Sequence, residues 1–479
     1  MSEHAVVIAG GGPTGLMLAG ELAIAGIDVA IVERRADQHV DGSRAGGLHA
    51  RTLEVLDQRG IVQRFLDAGT TVPSLGYGGI MLGLGDFPTR HNYVLALFQS
   101  RFEPILADWV GELGVPIHRS CDVTGFERDD DGVHVQLSDG RTLRASYLVG
   151  CDGGRSRVRT IAGIEFAGTD ATTSWILAEA HLRGDPEYGI RWDAAGMHAI
   201  GKASDGASAR IVINEREPTR GDEPSLDDLR RALTGVYGTD FGLQRASWIS
   251  RFTDMTRQAA AYRSGRVLLA GDAAHVHPPH GGQGLNVGVQ DAMNLGWKLA
   301  RVVNEAAPAH LLDTYHAERH PVGARVLRAA MAQVALSRPG ETHQALRDTM
   351  AELLTLDEPR RRIAGMISGL DVAYDLGGGH PLVGRRMPDL DLQTGDGPTS
   401  VYALLRDAQP VLLHFEGGAD APGVRTVRAA YDDPWELPVL GLVEPPQSVL
   451  IRPDGHVAWA GNPTDPALSR ALASWFAAT

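Results

Sequence analysis

The sequence predicts an α/β protein of several domains, on three observations. Residues 5–9, AVVIA, form a short apolar strand that runs into GGGPTG and then a helical stretch. Residues 175–262 alternate apolar and polar positions, as in GMHAIGKA and ARIVINERE, which is the period of an antiparallel sheet. Residues 386–479 return to short strands, PVLLHFEG and SVLIRPDGHVAWAG, and close on a helix.

The first strand leads into a fingerprint. Gly10, Gly12 and Gly15 fit G-x-G-x-x-G, with Pro13 and Thr14 inside it. Leu16, Ala19, Leu22 and Ala23 then share one helical face up to Gly26, and DVAIVE gives a second strand ending at Glu33. Gly10 permits the tight turn, Gly12 lets the backbone approach a pyrophosphate, and Gly15 lets helix and strand pack closely. The helix N-terminus offers free N–H groups and a positive dipole end to phosphates. Glu33 stands where a carboxylate accepts from ribose hydroxyls, and an acid there disfavours a 2′-phosphate, so the unit suits FAD or NAD.

Two later stretches extend this reading. A strand, TLRASYLVG, delivers Cys151, Asp152, Gly153 and Gly154 in YLVGCDGGRSRVR. Another, RVLLAG, delivers Gly271 and Asp272 in GRVLLAGDAAHVHPPHGGQGLNVGVQDAMNLGWKLA, where a helix is expected from about Leu285 past Lys298. His275, His277 and His280 sit close in sequence, but two prolines stiffen the loop and no further ligand set supports a metal. No metal is expected; Pro278 and Pro279 shape a dry wall and His275 is a hydrogen-bonded structural residue.

Taken in order, GxGxxG, DGxxSxVR and GDAAHxxPPxGGQGLNxGxQDAxNLxWKL resemble the class A flavoprotein monooxygenases, the single-component FAD aromatic hydroxylases. The resemblance spans nearly the whole chain and is nearest to the bacterial aromatic polyketide hydroxylases and rifampicin monooxygenase. It implies a Rossmann-like FAD-binding domain in three parts (1–74, 99–174 and 263–385), an antiparallel-sheet substrate domain (175–262) with an insert (75–98), and a thioredoxin-like C-terminal domain (386–479). With no cysteine beyond Cys151, that last domain does no thiol chemistry.

The resemblance also implies roles. Asp272 holds the ribityl chain, while Gly282, Gly284, Leu285 and Asn286 bring helix N–H groups to the flavin's pyrimidine edge, where reduced flavin carries negative charge. Arg44 lies beside the isoalloxazine, Gln99 touches FAD, and Asp152 lies near the pyrophosphate and the nicotinamide cofactor. Pro13, Thr14, Arg34 and Val123 complete the cofactor set, and Arg44, Pro279 and Gly282 flank the reacting ring. Arg210 and His198 are expected to meet substrate, with Trp175 and Trp192 as further candidates for that surface.

The implied activity uses FAD, NADPH or NADH, and dioxygen to hydroxylate a bulky polycyclic or naphthol-type aromatic through a flavin C4a-hydroperoxide. A rifamycin- or tetracycline-like antibiotic as substrate, a Baeyer–Villiger outcome, and an FAD electron-transfer reductase are the alternatives. Neither G-x-S-x-G nor a second G-x-G-x-x-G in a strand–helix context occurs. The formal charge of −14 disfavours nucleic acid and anionic membranes as partners. Two cysteines and no apolar leader suggest a cytoplasmic protein, monomer or homodimer. Pro321 is expected to kink or restart its helix.

Overall fold

A computed structural model describes residues 2–40, 42, 45–193, 196–203, 206–215 and 223–476. Its largest sheet has a parallel run of five strands in the order Val267–Leu269, Thr142–Gly150, Ser2–Ala9, Val29–Val32 and Ile117–His118. The inner stretches of these strands, such as AVVI, VAIV and VLL, read as apolar runs because both faces are covered there: Val6, Val7, Ile8, Ile31, Leu148 and Leu268 are all at 0% exposure. Helix α1 (Pro13–Ile24) follows the first strand and α2 (Ala50–Gln58) the second. Helix α3 (Gln283–Val303) lies along α1, starting two residues before the position the sequence suggests. That approach needs glycine, since a β-carbon at Gly288 would collide with Thr14 Oγ1.

The second sheet is antiparallel, in the order Gly189–Asp193, Gly196–Lys202, Ala209–Asn214, Ser174–Leu182 and Leu243–Thr253. Successive side chains point to opposite faces. Ile176, Ala178, Ile200, Ile211 and Ile213 pack on Leu229 and Leu233 of the Leu226–Tyr237 helix. That helix starts at a Ser225–Asp228 capping box and ends at Gly238, φ +76°. The opposite face carries Trp175, Leu177, Arg210 and Val212 and meets the parallel-sheet unit. There the Trp175 and His280 rings lie edge to face at 5.3 Å, and the Arg210 guanidinium lies 4.9 Å from the Phe98 ring centre.

One expectation changes, at Pro321. The 75–98 segment adds no strand to the second sheet among the described residues. It forms a Ser74–Tyr77/Ile80–Gly83 hairpin, and its Leu75, Tyr77 and Leu82 pack with Leu336 and Ile367 instead. Pro321 does not restart its helix: α4 (Asp313–Leu336) runs through it. Buried Glu318 and Arg319 before the proline and Val322, Val326 and Leu327 after it keep both sides packed, so the helix continues past the missing N–H donor.

The third sheet has the order Gly397–Ser400, Asp391–Thr394, Arg425–Ala430, Val411–His414, Ser448–Ile451 and Val457–Gly461, flanked by the Pro466–Phe476 helix. RPDG makes the tight turn between its last two strands, Gly455 N donating to Arg452 O at 2.8 Å. This turn leaves its own sheet and plugs into the parallel-sheet unit. Pro453 O accepts from Gln58 and Arg59 of the α2 end, and Arg452 pairs with Glu318 of α4.

Candidate active site

The end of the first strand and the start of α1 form one wall. Gly10 has φ +104°, and a β-carbon there would collide with the Cys151 carbonyl oxygen. Gly12 caps α1 without any side-chain bond, and the space in front of it is open within 4 Å. Pro13 occupies the first turn at no cost in lost donors. Thr14 faces the other way, wedged between Gly271 and Gly288, so its side chain locks α1 to α3. Gly10→Ala is expected to cost about 1–3 kcal/mol of stability from strain alone, and to abolish cofactor retention by pushing the turn off Cys151. Thermal melting and bound-cofactor content would check both.

Glu33 is 5% exposed at the end of the second strand. Its carboxylate accepts from Gly11 N at 2.6 Å, Arg35 N at 2.9 Å and Arg35 Nε at 3.0 Å. Burial pushes its pKa up, but the Arg35 and Gly11 bonds outweigh burial and hold it below the usual carboxylate range. Arg34, the residue the sequence suggests, is exposed, whereas Arg35 also donates to Gly11 O at 3.2 Å and to Glu103 at 2.7 Å. Arg35 stands in a bend beyond the strand end, so no strand period points to it. Glu103, at 0% exposure, went unread; it gathers Arg35, Gln38 and Gln99 onto one carboxylate. Val123 is 2% exposed and its side chain belongs to the core.

Asp152 stands opposite α1. Its Oδ2 accepts from Arg157 N at 2.7 Å and Val158 N at 3.1 Å, while its Oδ1 is buried without a hydrogen-bond partner. An orphaned carboxylate oxygen beside a glycine turn and an open helix N-terminus fits a polar ligand at this point.

The third wall is the Gly271–Asn286 segment. Asp272 is exposed on a one-turn helix, Gly271–Ala273. Gly282 (φ +65°) caps the 21-residue α3 with no side-chain bond, and Gly284 and Leu285 are half-buried in its first turn. An ideal β-carbon on Gly284 would lie 4.0 Å from Asp272 Oδ1 and 3.8 Å from His277 Nε2, so these groups converge. The Asn286 side chain is a clasp: its Oδ1 accepts from His49 N (2.8 Å) and Thr52 Oγ1 (2.7 Å), and its Nδ2 donates to Gly282 O (2.8 Å). Pro279 is exposed beside Gly282. Arg44 lies outside the described residues.

The three loop histidines diverge. His275 pairs with Asp291 at 2.7 Å, His277 Nδ1 donates to Pro278 O, and His280 stands against Trp175. Among the described residues no cluster of three His, Cys, Asp or Glu could hold a metal. Burial holds His49, His280 and His456 neutral, each lowered to about 4. The unfolded chain therefore binds more protons between about pH 6.5 and 4, and stability falls as pH drops through that window. Urea midpoints at pH 7 and pH 5 should differ accordingly, and His49→Gln should flatten the slope; equal midpoints would contradict the buried, neutral state.

On the antiparallel sheet, His198 lies on the face away from the parallel-sheet unit. It is at 0% exposure, its Nε2 bonds Asp193 at 2.9 Å, and its Nδ1 accepts from Asn214 N at 3.2 Å. It is two residues before Ile200, which pairs with Ile211 on the helix-covered face, so the period of two turns it to that face, away from the parallel-sheet unit. Arg210 is on the facing side, ion-paired with Glu179 at 2.9 Å. Burial pulls its pKa down from the ordinary guanidinium value, and Glu179 only partly offsets that. Trp175 is 3% exposed and stacked on Phe252 at 5.1 Å. Trp192 is 38% exposed on the edge strand, under the Arg347 guanidinium.

A family model described as FAD binding domain matches residues 3–330, and one described as aromatic-ring hydroxylase, C-terminal, matches residues 380–479. The rifampicin monooxygenase of Streptomyces venezuelae is 42% identical over 490 residues, covering 99% of this chain and 98% of its own. The 12-dehydrotetracycline 5-monooxygenase/anhydrotetracycline 6-monooxygenase of Streptomyces rimosus is 43% identical over 505 residues, covering 99% of each. The solved structure of an aromatic hydroxylase from angucycline biosynthesis matches with a TM-score of 0.92 at 41% identity, covering 100% of both chains. No helix among the described residues is long and apolar enough to cross a membrane. The chain belongs to the FAD-dependent aromatic-ring hydroxylases and is an oxidoreductase.

Proposed function

We propose that the chain uses FAD, NADPH or NADH, and dioxygen to hydroxylate a bulky fused-ring aromatic. One observation carries the reading. The glycine turn before α1 lies against Asp152 with its orphan oxygen, Thr14 joins α1 to Gly271, Gly284 at the start of α3 faces exposed Asp272, and Trp175 of the antiparallel sheet meets His280 of the same loop. The donors, acceptors and glycine turn suit FAD: N–H groups for the phosphates, Glu33 and Asp272 for hydroxyls, and the α3 dipole for a negatively charged ring. Bound FAD would supply an electrophilic oxygen derived from dioxygen; the protein supplies position, dryness and charge.

Each residue's part follows from its surroundings. Glu33 and Asp272 anchor the two hydroxyl-bearing parts of the dinucleotide, with Gln99 held toward it by Glu103. Pro278, buried, and Pro279 wall the reacting region against water, which would otherwise compete for the oxygen. Trp175 orients an aromatic ring, and the Arg210–Glu179 pair offers a donor and an acceptor on the face that also carries Leu177 and Val212. Arg44 joins the site on the family resemblance alone. The relatives named for rifampicin and tetracycline chemistry favour a large fused-ring substrate. The domain boundaries given from sequence, a thioredoxin-like third sheet, a cytoplasmic location and a monomer or homodimer belong to the same proposal.

The test is a panel of naphthols, anthraquinones and rifamycin- or tetracycline-type compounds offered to the FAD-loaded protein with NADPH or NADH. The expected result is substrate-stimulated oxidation of the nicotinamide and a product heavier by one oxygen. Peroxide alone across the whole panel would favour an electron-transfer role.

A further inference from the structure

A run of buried contacts leads from the C-terminal RPDGH turn to the Asp272 loop. Arg452, at 0% exposure, makes two 2.8 Å bonds to Glu318 and a third contact to Asp454. Lys298, also at 0%, pairs with Glu318 at 2.9 Å. The next residue of α4, Arg319, takes the chain onward: its Nη1 donates to Tyr374 Oη at 3.2 Å and its Nε to Asp291 Oδ1 at 2.7 Å. Tyr374 is the bridge, because its ring stacks on His456 of the turn at 4.4 Å and lies under the Arg452 guanidinium at 5.5 Å. Asp291 Oδ2 then receives both ends of the loop, Gly271 N at 3.1 Å and His275 Nε2 at 2.7 Å. Asp272 lies between those two anchors.

We propose that the Arg452–His456 turn is a positioning element for the cofactor loop, acting through Tyr374, Arg319 and Asp291 to fix where Asp272 stands. The C-terminal domain is then part of the flavin site's support, although none of its described residues is among those assigned to that site. The physical reason is the low tolerance of buried charge for misplacement. Arg319 and Asp291 are both at 0% exposure, so neither can turn to water when a partner shifts. A displacement at Tyr374 must be absorbed at Asp291, and so at Gly271 and His275. The inference rests on Asp272 contacting FAD.

The test uses the full-length protein. Tyr374→Phe removes one bond without charge, Arg319→Lys keeps charge but loses the fork, and Asp272→Ala is the control. FAD dissociation constant, flavin visible circular dichroism, midpoint potential and thermal melting are measured for each. Tyr374→Phe is expected to raise the FAD dissociation constant about 3- to 10-fold, the range of one hydrogen bond. It should alter the flavin's visible dichroism and midpoint potential with a small melting shift. Its effect should be less than additive with Asp272→Ala, since both act through one carboxylate. If the network variants lower melting yet leave FAD affinity, dichroism and potential at wild-type values while Asp272→Ala weakens FAD, the turn is structural only and the proposal falls. If Asp272→Ala itself leaves FAD binding unchanged, the underlying placement of the cofactor fails, and the proposal with it.

Discussion

Asp272→Ala should weaken FAD binding about 10- to 150-fold, the loss of one hydrogen bond to a charged group worth about 1.5–3 kcal/mol. The fold should not suffer. Asp272 is exposed on a single helical turn, and its carboxylate makes no hydrogen bond or ion pair to the other described residues. Its neighbours Gly271 and His275 stay anchored on Asp291. Asp272→Asn keeps an acceptor without the charge and should fall between the two. Titration of apoprotein with FAD, with far-ultraviolet circular dichroism as the control, decides it. Wild-type affinity in Asp272→Ala would remove the residue from the site.

Glu318→Gln should be the most destabilising single change outside the glycine turns, costing about 3–5 kcal/mol. Burial raises the Glu318 pKa, but Arg452 and Lys298 outweigh it and bring it down to about 2. Without that carboxylate two buried cations share Asp454. Burial already lowers the Lys298 pKa to about 8, with Glu318 holding it up, so the variant should drive Lys298 toward its neutral form. Glu318→Gln combined with Lys298→Met should recover part of the loss. The sign with pH follows from the lowered value: the contribution is full above the unfolded carboxylate pKa of about 4.3 and is lost as pH falls toward 2. Denaturant melts across that range should show the wild type losing stability more steeply than the variant. A cost below about 1 kcal/mol at pH 7 would show that the cluster relaxes freely.

The fingerprint strand, α1, the second strand and α3 were legible because their signals are local: a glycine spacing, an apolar period and a cap. Side-chain partners were less so. Arg35, beside Arg34, stands in a bend where no period applies, so its bonds to Glu33 and Glu103 are not legible in the sequence. The strand that carries His198 is legible but its phase is not; the pairing of Ile200 with Ile211 fixes which face it takes. Glu103, Asp291 and Arg319 are charged residues inside helices, where sequence alone suggests solvated faces. Their burial follows from partners 68 and 28 positions away. Pro321 carried a true local cost that tertiary packing absorbed.

On the proposed function, the alternation in the antiparallel sheet bears on redesign. Combinatorial libraries meant to widen the range of accepted compounds should vary positions such as Leu177, Val212 and Ser250, which share a face with Trp175. The intervening Ile176, Ile211 and Ile213 hold the sheet onto its helix, and diversifying them would mostly yield clones that express poorly. Skipping every second codon along these strands would concentrate the screened diversity where a new guest molecule could meet it.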